Sequence, residues 1–171
     1  MTPRSFDRQV AARRLRLLRD TLDELAAVGD VTAERLHTES VTRAATERLI
    51  QVAVDLAIDV NSHVAVAQLG RSPDSGYESF GLAAAAGATT ADLARRLAPA
   101  AGLRNRLVHR YDDIRVDLVA AAVDELLTGF DVYIKQVAAF IAESRNEGDE
   151  TEMSAEAADS ERGPRDDSPP P

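Results

Sequence analysis

The chain has 171 residues and a formal net charge of −9, with 44% hydrophobic residues, 4% aromatic residues and no cysteine. That length suits one domain with a real core, while the missing thiols exclude a disulfide framework and a thiolate metal site, and three scattered histidines offer no zinc-type spacing. A core so poor in aromatic residues must be built from Ala, Leu, Val and Ile, which favours close-packed helices over sheets, so an all-α, single-domain antiparallel bundle is expected.

Residues 1–20 are rich in Arg but are interrupted by Asp7 and Asp20 and have no apolar run, so they do not read as a secretory signal. No segment reaches the roughly 18 uncharged apolar residues of a membrane span, so a cytoplasmic chain with no membrane association is expected. The charge is uneven. Residues 144–171 hold three Arg against nine Asp plus Glu, which puts −6 on the tail and −3 on the body, so the acidic total does not exclude RNA. The cations are 19 Arg and a single Lys; Arg suits bidentate phosphate contacts, although such a bias more often follows base composition.

In chain order, Ser5 can cap a helix in which Phe6, Val10, Leu17, Leu18, Leu22, Leu25 and Val28 recur at helical spacing. Gly29-Asp30 breaks it and Thr32 restarts a short turn. From about Ser40 to Gly70 a thirty-residue helix carries Val41, Ala45, Leu49, Val52, Leu56, Val60, Val64 and Ala67. Val52, Val54, Leu56 and Ile58 also alternate, but no turn signal supports a strand there. Asn61 and His63 near its end suit structural hydrogen bonds better than contact with a substrate. Residues 71–76 are dense in turn formers. A short Ala-rich helix follows over 77–86, then a fourth opened by Thr89 or Thr90, kinked or restarted at Pro99. A last helix begins near Asp117 and carries Leu118, Val119, Val123, Leu126, Leu127, Phe130, Ile134, Val137 and Ile141. About five helices are expected in a domain over 1–145. Residues 146–171, acidic and ending in three prolines, read as a disordered tail, better taken as solubilising than as a nucleic-acid mimic.

Chemistry concentrates between the last two helices, in R-N-R-L-V-H-R-Y-D-D-I at 104–114. Cleaving a phosphodiester without a metal needs a group that moves protons at the ribose and leaving oxygens, and a fixed cation for charge gathering at phosphorus. His109 suits the first role and Arg104 the second; Asn105 could orient either by hydrogen bond, and Arg106 and Arg110 add cations for RNA. No cofactor and no metal is called for. Five residues of continuous helix set Arg104 and His109 roughly 140° apart, so either the helix ends before His109 or a second copy completes the site; a homodimer with a shared cleft is expected. Spacing alone leaves open a solvated arginine face with His109 at a helix terminus.

The string resembles the HepT-like branch of the HEPN superfamily, the toxin half of HEPN and minimal-nucleotidyltransferase pairs, whose signature R-x-x-x-x-H-x-Y is matched by Arg104, His109 and Tyr111. The likeness extends over T-R-A-A-T-E-R-L-I-Q at 42–51, D-V-N-S-H at 59–63 and Y-E-S-F at 77–80 to the last helix, leaving out the first 40 residues and the tail. It implies an all-helical dimeric fold and the toxin of a type VII-like toxin–antitoxin pair, a metal-independent endoribonuclease acting on tRNA or mRNA. Arg104 and His109 would be catalytic with Asn105 in support, and Tyr111 would be adenylylated by a cognate nucleotidyltransferase antitoxin. A non-catalytic helical module that docks the nucleotidyltransferase is the alternative.

Overall fold

A computed structural model describes residues 7–109 and 115–160, with side chains as far as Ser144. Among the described residues there are seven helices and no strand: α1 Arg8–Ala27, α2 Ala33–Thr38, α3 Ser40–Leu69, α4 Gly76–Ala85, α5 Ala91–Leu97, α6 Pro99–His109 and α7 Val116–Ser160. The all-α bundle stands, with two helices more than expected. Thr32 accepts from Arg35 N–H and turns the expected short turn into α2, and Pro99 restarts rather than kinks the fourth helix, dividing it into α5 and α6.

The boundaries follow local chemistry. Asp7 caps α1, its carboxylate accepting from Val10 N–H at 3.0 Å, while Ser5, the expected cap, lies outside the described residues. Gly70 ends α3 in the left-handed region at φ 63°, which lets the chain turn straight out of the helix. Ser75 caps α4 through Glu78 N–H, and the Glu78 carboxylate accepts from Asp74 N–H one residue before the cap. Thr90 caps α5 through Leu93 N–H.

α3 is the central element. It packs against α1, α2, α4, α6 and α7, and buries Ile50, Ala53, Val54, Ala57, Val60 and Val64. Its length and an 18-residue window of mean hydropathy 1.4 within it would suit a membrane span, but 44% of that window is buried inside the bundle. The aromatic residues collect where α7 crosses it: Phe80 and Phe130 meet the Tyr133 ring edge-on at 6.5 and 5.8 Å. Tyr133 is fully buried, and its hydroxyl donates to Asn61 Oδ1 at 2.7 Å; Asn61 Nδ2 lies 3.4 Å from Ser79 Oγ, which in turn donates to the Gly76 carbonyl. Burial pushes the Tyr133 phenol well above its ordinary value.

Two glycines permit close approach. A methyl at Gly76 would lie 2.6 Å from Ile58 Cδ1 and 3.3 Å from Ala101 Cβ, and one at Gly129 would lie 2.7 Å from Leu97 Cδ2. α4 therefore starts hard against α3 and α6, and α7 crosses hard against α5. Ion pairs key the outer edges: Arg14 to Asp59 between α1 and α3, Arg19 to Asp131 between α1 and α7, and Arg96 to Glu125 between α5 and α7.

α7 crosses the boundary expected at 145/146 without a break and runs to Ser160. Glu, Ala and Met recur from 147 to 158 and are strong helix formers, so the backbone continues past Phe140 and Ile141, the last described side chains packed on the core. Residues 161–171 lie outside the described part.

Candidate nucleic-acid cleavage site

α6 turns Ala100, Ala101, Leu103 and Leu107 into the core, which fixes the directions of the polar residues between them. Arg104 comes out half-buried against α3, whereas Asn105, Arg106 and His109 are exposed. The Arg104 guanidinium meets Asp55 of α3 along one edge. Nη2 donates to Asp55 Oδ2 at 3.2 Å, and Nε sits 2.6 Å from Oδ1, an ion pair in which the N–H is aimed off the oxygen. Nη1 donates to Asn105 Oδ1 at 3.3 Å. Of the five N–H donors of a guanidinium, one on Nη1 and one on Nη2 are left for a further acceptor.

His109 is the last described residue of α6, and it is helical. An end to the helix before His109 is therefore not what occurs. Arg104 and His109 lie on one continuous helix, about 140° apart, and do not share a face of one chain. Arg106 lies about 60° from His109 and lines, with Leu97, Leu103, Leu118 and Leu126, a cleft of about 210 Å³ among α5, α6 and α7. Arg110 and Tyr111, together with the exit turn expected over 110–113, fall outside the described residues.

Asn61 and His63 have structural partners. Asn61 is locked in the buried network under Tyr133, and His63 Nε2 accepts the backbone N–H of Asp7 at 3.0 Å, tying the start of α1 to α3. Sequence reasoning missed Asp55. Its signal was there: Asp55 and Asp59 are two carboxylates one turn apart within the otherwise apolar run from Val52 to Val60, and a charge on the flank of a core helix calls for a cation from a neighbour. Among the described residues no group of three or more His, Asp or Glu comes together as a metal cluster.

The sequence profile of the family described as Ribonuclease HepT-like matches residues 18–137, a stretch that holds Asp55, Arg104 and His109. The chain belongs to the HepT-like family. The match begins inside α1, earlier than the likeness from residue 42 that the motifs carry. The HepT-like chain is 31% identical to the tRNA nuclease HepT of Aphanizomenon flos-aquae over 136 residues, covering 80% of this chain and 92% of that protein. It is also 31% identical over 90 residues to the mRNA nuclease HepT of Shewanella oneidensis, covering 53% and 68%. Its fold matches the tri-AMPylated Shewanella oneidensis HEPN toxin solved in complex with MNT antitoxin, with a TM-score of 0.68 at 22% identity over 76% of this chain and 97% of that one. The all-α fold is that of HEPN proteins.

Proposed function

We propose that this chain is the toxin of a type VII-like toxin–antitoxin pair, a metal-independent endoribonuclease that acts on tRNA or mRNA in the cytoplasm. What carries the reading is the placement of Arg104 and His109, the first two members of R-x-x-x-x-H-x-Y, on α6 of a HepT-like bundle, with Arg104 anchored on one edge and two of its donors left for phosphate. Arg104 holds the charge that gathers on the phosphorus oxygens. His109 moves a proton at the ribose or leaving oxygen, a task suited to an imidazole at cellular pH. The 140° between them is bridged by a second copy, so that Arg104 and His109 of two protomers line one cleft. Two histidines there divide the work, one accepting a proton and the other giving one. Asn105 supports Arg104, Arg106 and Arg110 contact the RNA backbone, and Tyr111 takes the AMP that a minimal nucleotidyltransferase antitoxin transfers from ATP, with pyrophosphate as the leaving group. That adduct adds bulk and negative charge beside the cleft and repels phosphate.

The test is RNA cleavage by the purified chain in EDTA, with His109→Ala and Arg104→Ala at unchanged helicity. Loss in both variants is expected; equal cleavage by either variant sinks that residue's role. Mass spectrometry after coexpression with a minimal nucleotidyltransferase should show added AMP, absent from Tyr111→Phe. Light scattering should give a dimer. A monomer that binds the antitoxin and cuts nothing would establish the docking module instead.

A further inference from the structure

Beyond the motif residues, we infer that Asp55 is a positioning residue for the reaction: it locks the Arg104 guanidinium in the one orientation that presents its outer fork to phosphate. The inference rests on the cleavage reading above and adds to it a residue 49 positions away on another helix.

The geometry divides the guanidinium into two edges. One is the Nε and Nη2 edge, and Asp55 occupies it at 2.6 and 3.2 Å. The Nε atom is sealed from solvent and has no aligned hydrogen-bond acceptor, so the Asp55 carboxylate is what answers its charge. Nη1 and Nη2 each retain one N–H once Asn105 and Asp55 have taken theirs. Two N–H groups in a planar fork match two phosphate oxygens, and a lysine could not offer the same pattern. Arginine has four rotatable side-chain bonds, and ordering them costs entropy that a freely moving Arg104 would have to meet at each encounter with RNA. With one edge tied to a core helix, that ordering is done when the bundle folds.

Asp59 supplies the contrast. It sits one turn further along α3 and makes the same kind of pair, with Arg14 of α1 at 3.3 Å, away from the motif. Both aspartates join helices; only Asp55 does so through a residue of the motif.

The experiment compares single-turnover RNA cleavage in EDTA by the full chain and by Asp55→Asn, Asp55→Glu, Asp59→Asn, Arg104→Ala and the Asp55→Asn/Arg104→Ala double variant. Asp55→Asn, nearly the same shape without the charge, should lower kcat on the order of 10–100-fold with KM within about threefold, the scale of a misaligned catalytic group. Asp55→Glu should recover part of the loss, Asp59→Asn should leave kcat unchanged, and Asp55→Asn should cost nothing further when Arg104 is already Ala. Full activity or a gain in Asp55→Asn overturns the inference, as does an equal kcat loss in Asp59→Asn or a further loss in the double variant. If the wild-type chain cuts no RNA, the cleavage reading fails by itself, and the proton exchange of the Arg104 Nε–H by NMR decides the anchor. Slow exchange in the wild type and fast exchange in Asp55→Asn upholds it; equal exchange rejects it.

Discussion

Replacing Tyr133 by Phe removes one oxygen from the most enclosed point of the bundle and leaves the ring where it is. Tyr133 is fully buried and Asn61 is 1% exposed, so no water replaces the lost hydroxyl without opening the core. The donor to Asn61 Oδ1 disappears, while the Nδ2 contact to Ser79 Oγ at 3.4 Å remains. The cost is therefore that of a buried acceptor left unanswered, about 1–3 kcal/mol, rather than the smaller net value of an exchanged hydrogen bond. The edge-on contacts to Phe80 and Phe130 do not involve the hydroxyl and should survive. Urea unfolding followed by circular dichroism, at one fixed protein concentration, should show a lower midpoint at unchanged slope, and the melting temperature should fall by about 2–4 °C per kcal/mol. Pairing Tyr133→Phe with Asn61→Leu should cost less than the sum of the two single changes, because the second removes the acceptor that the first strands. A midpoint indistinguishable from wild type, or strict additivity of the pair, would refute the assignment of Asn61 as a satisfied core residue.

Gly76→Ala should destabilise the bundle by about 1–3 kcal/mol in the same urea assay: Ile58 Cδ1 can swing aside, but Ala101 Cβ at 3.3 Å has no rotamer to change and moves only with α6. The hydrogen bond from Lys135, and then that from Arg19, holds the Asp131 carboxyl below its ordinary value of 3.8. Because that group is depressed in the fold, its contribution is present above the ordinary value and is lost as pH falls through it toward the lower one. Asp131→Asn should accordingly flatten the fall in melting temperature between about pH 5 and 3, and an unchanged profile would show the pairs to be inconsequential.

The helices were legible because apolar residues recur at helical spacing from Val10 through Ile141 and because Gly29, residues 70–76 and Gly87 punctuate them. The count was not, since Thr32 and Pro99 each signal either a turn or a helix start, and packing decides which. Nor was the end of α7 legible: the apolar stripe stops at Ile141, but helix propensity outlasts it and continues to Ser160. At the site, the motif named Arg104 and His109 and the helical period gave their angular separation, which the continuous α6 retains. Asp55 stayed hidden because its pairing is tertiary. Forty-nine residues separate it from Arg104, and nothing local to either distinguishes it from Asp59.

The polar residues of α3 set the axial register of the whole bundle. Within nine positions it presents Asp55 to α6, Asp59 and His63 to α1, and Asn61 to both α4 and α7. Apolar side chains accept a neighbour displaced by a turn at modest loss, but a carboxylate or an amide has fixed mates. A slide of 5.4 Å along the axis leaves at least one of these four groups without them. Repacking the aliphatic core wholesale should therefore preserve the arrangement as long as these four positions are kept, whereas neutralising them in an otherwise native core should loosen the helices in register before it unfolds them.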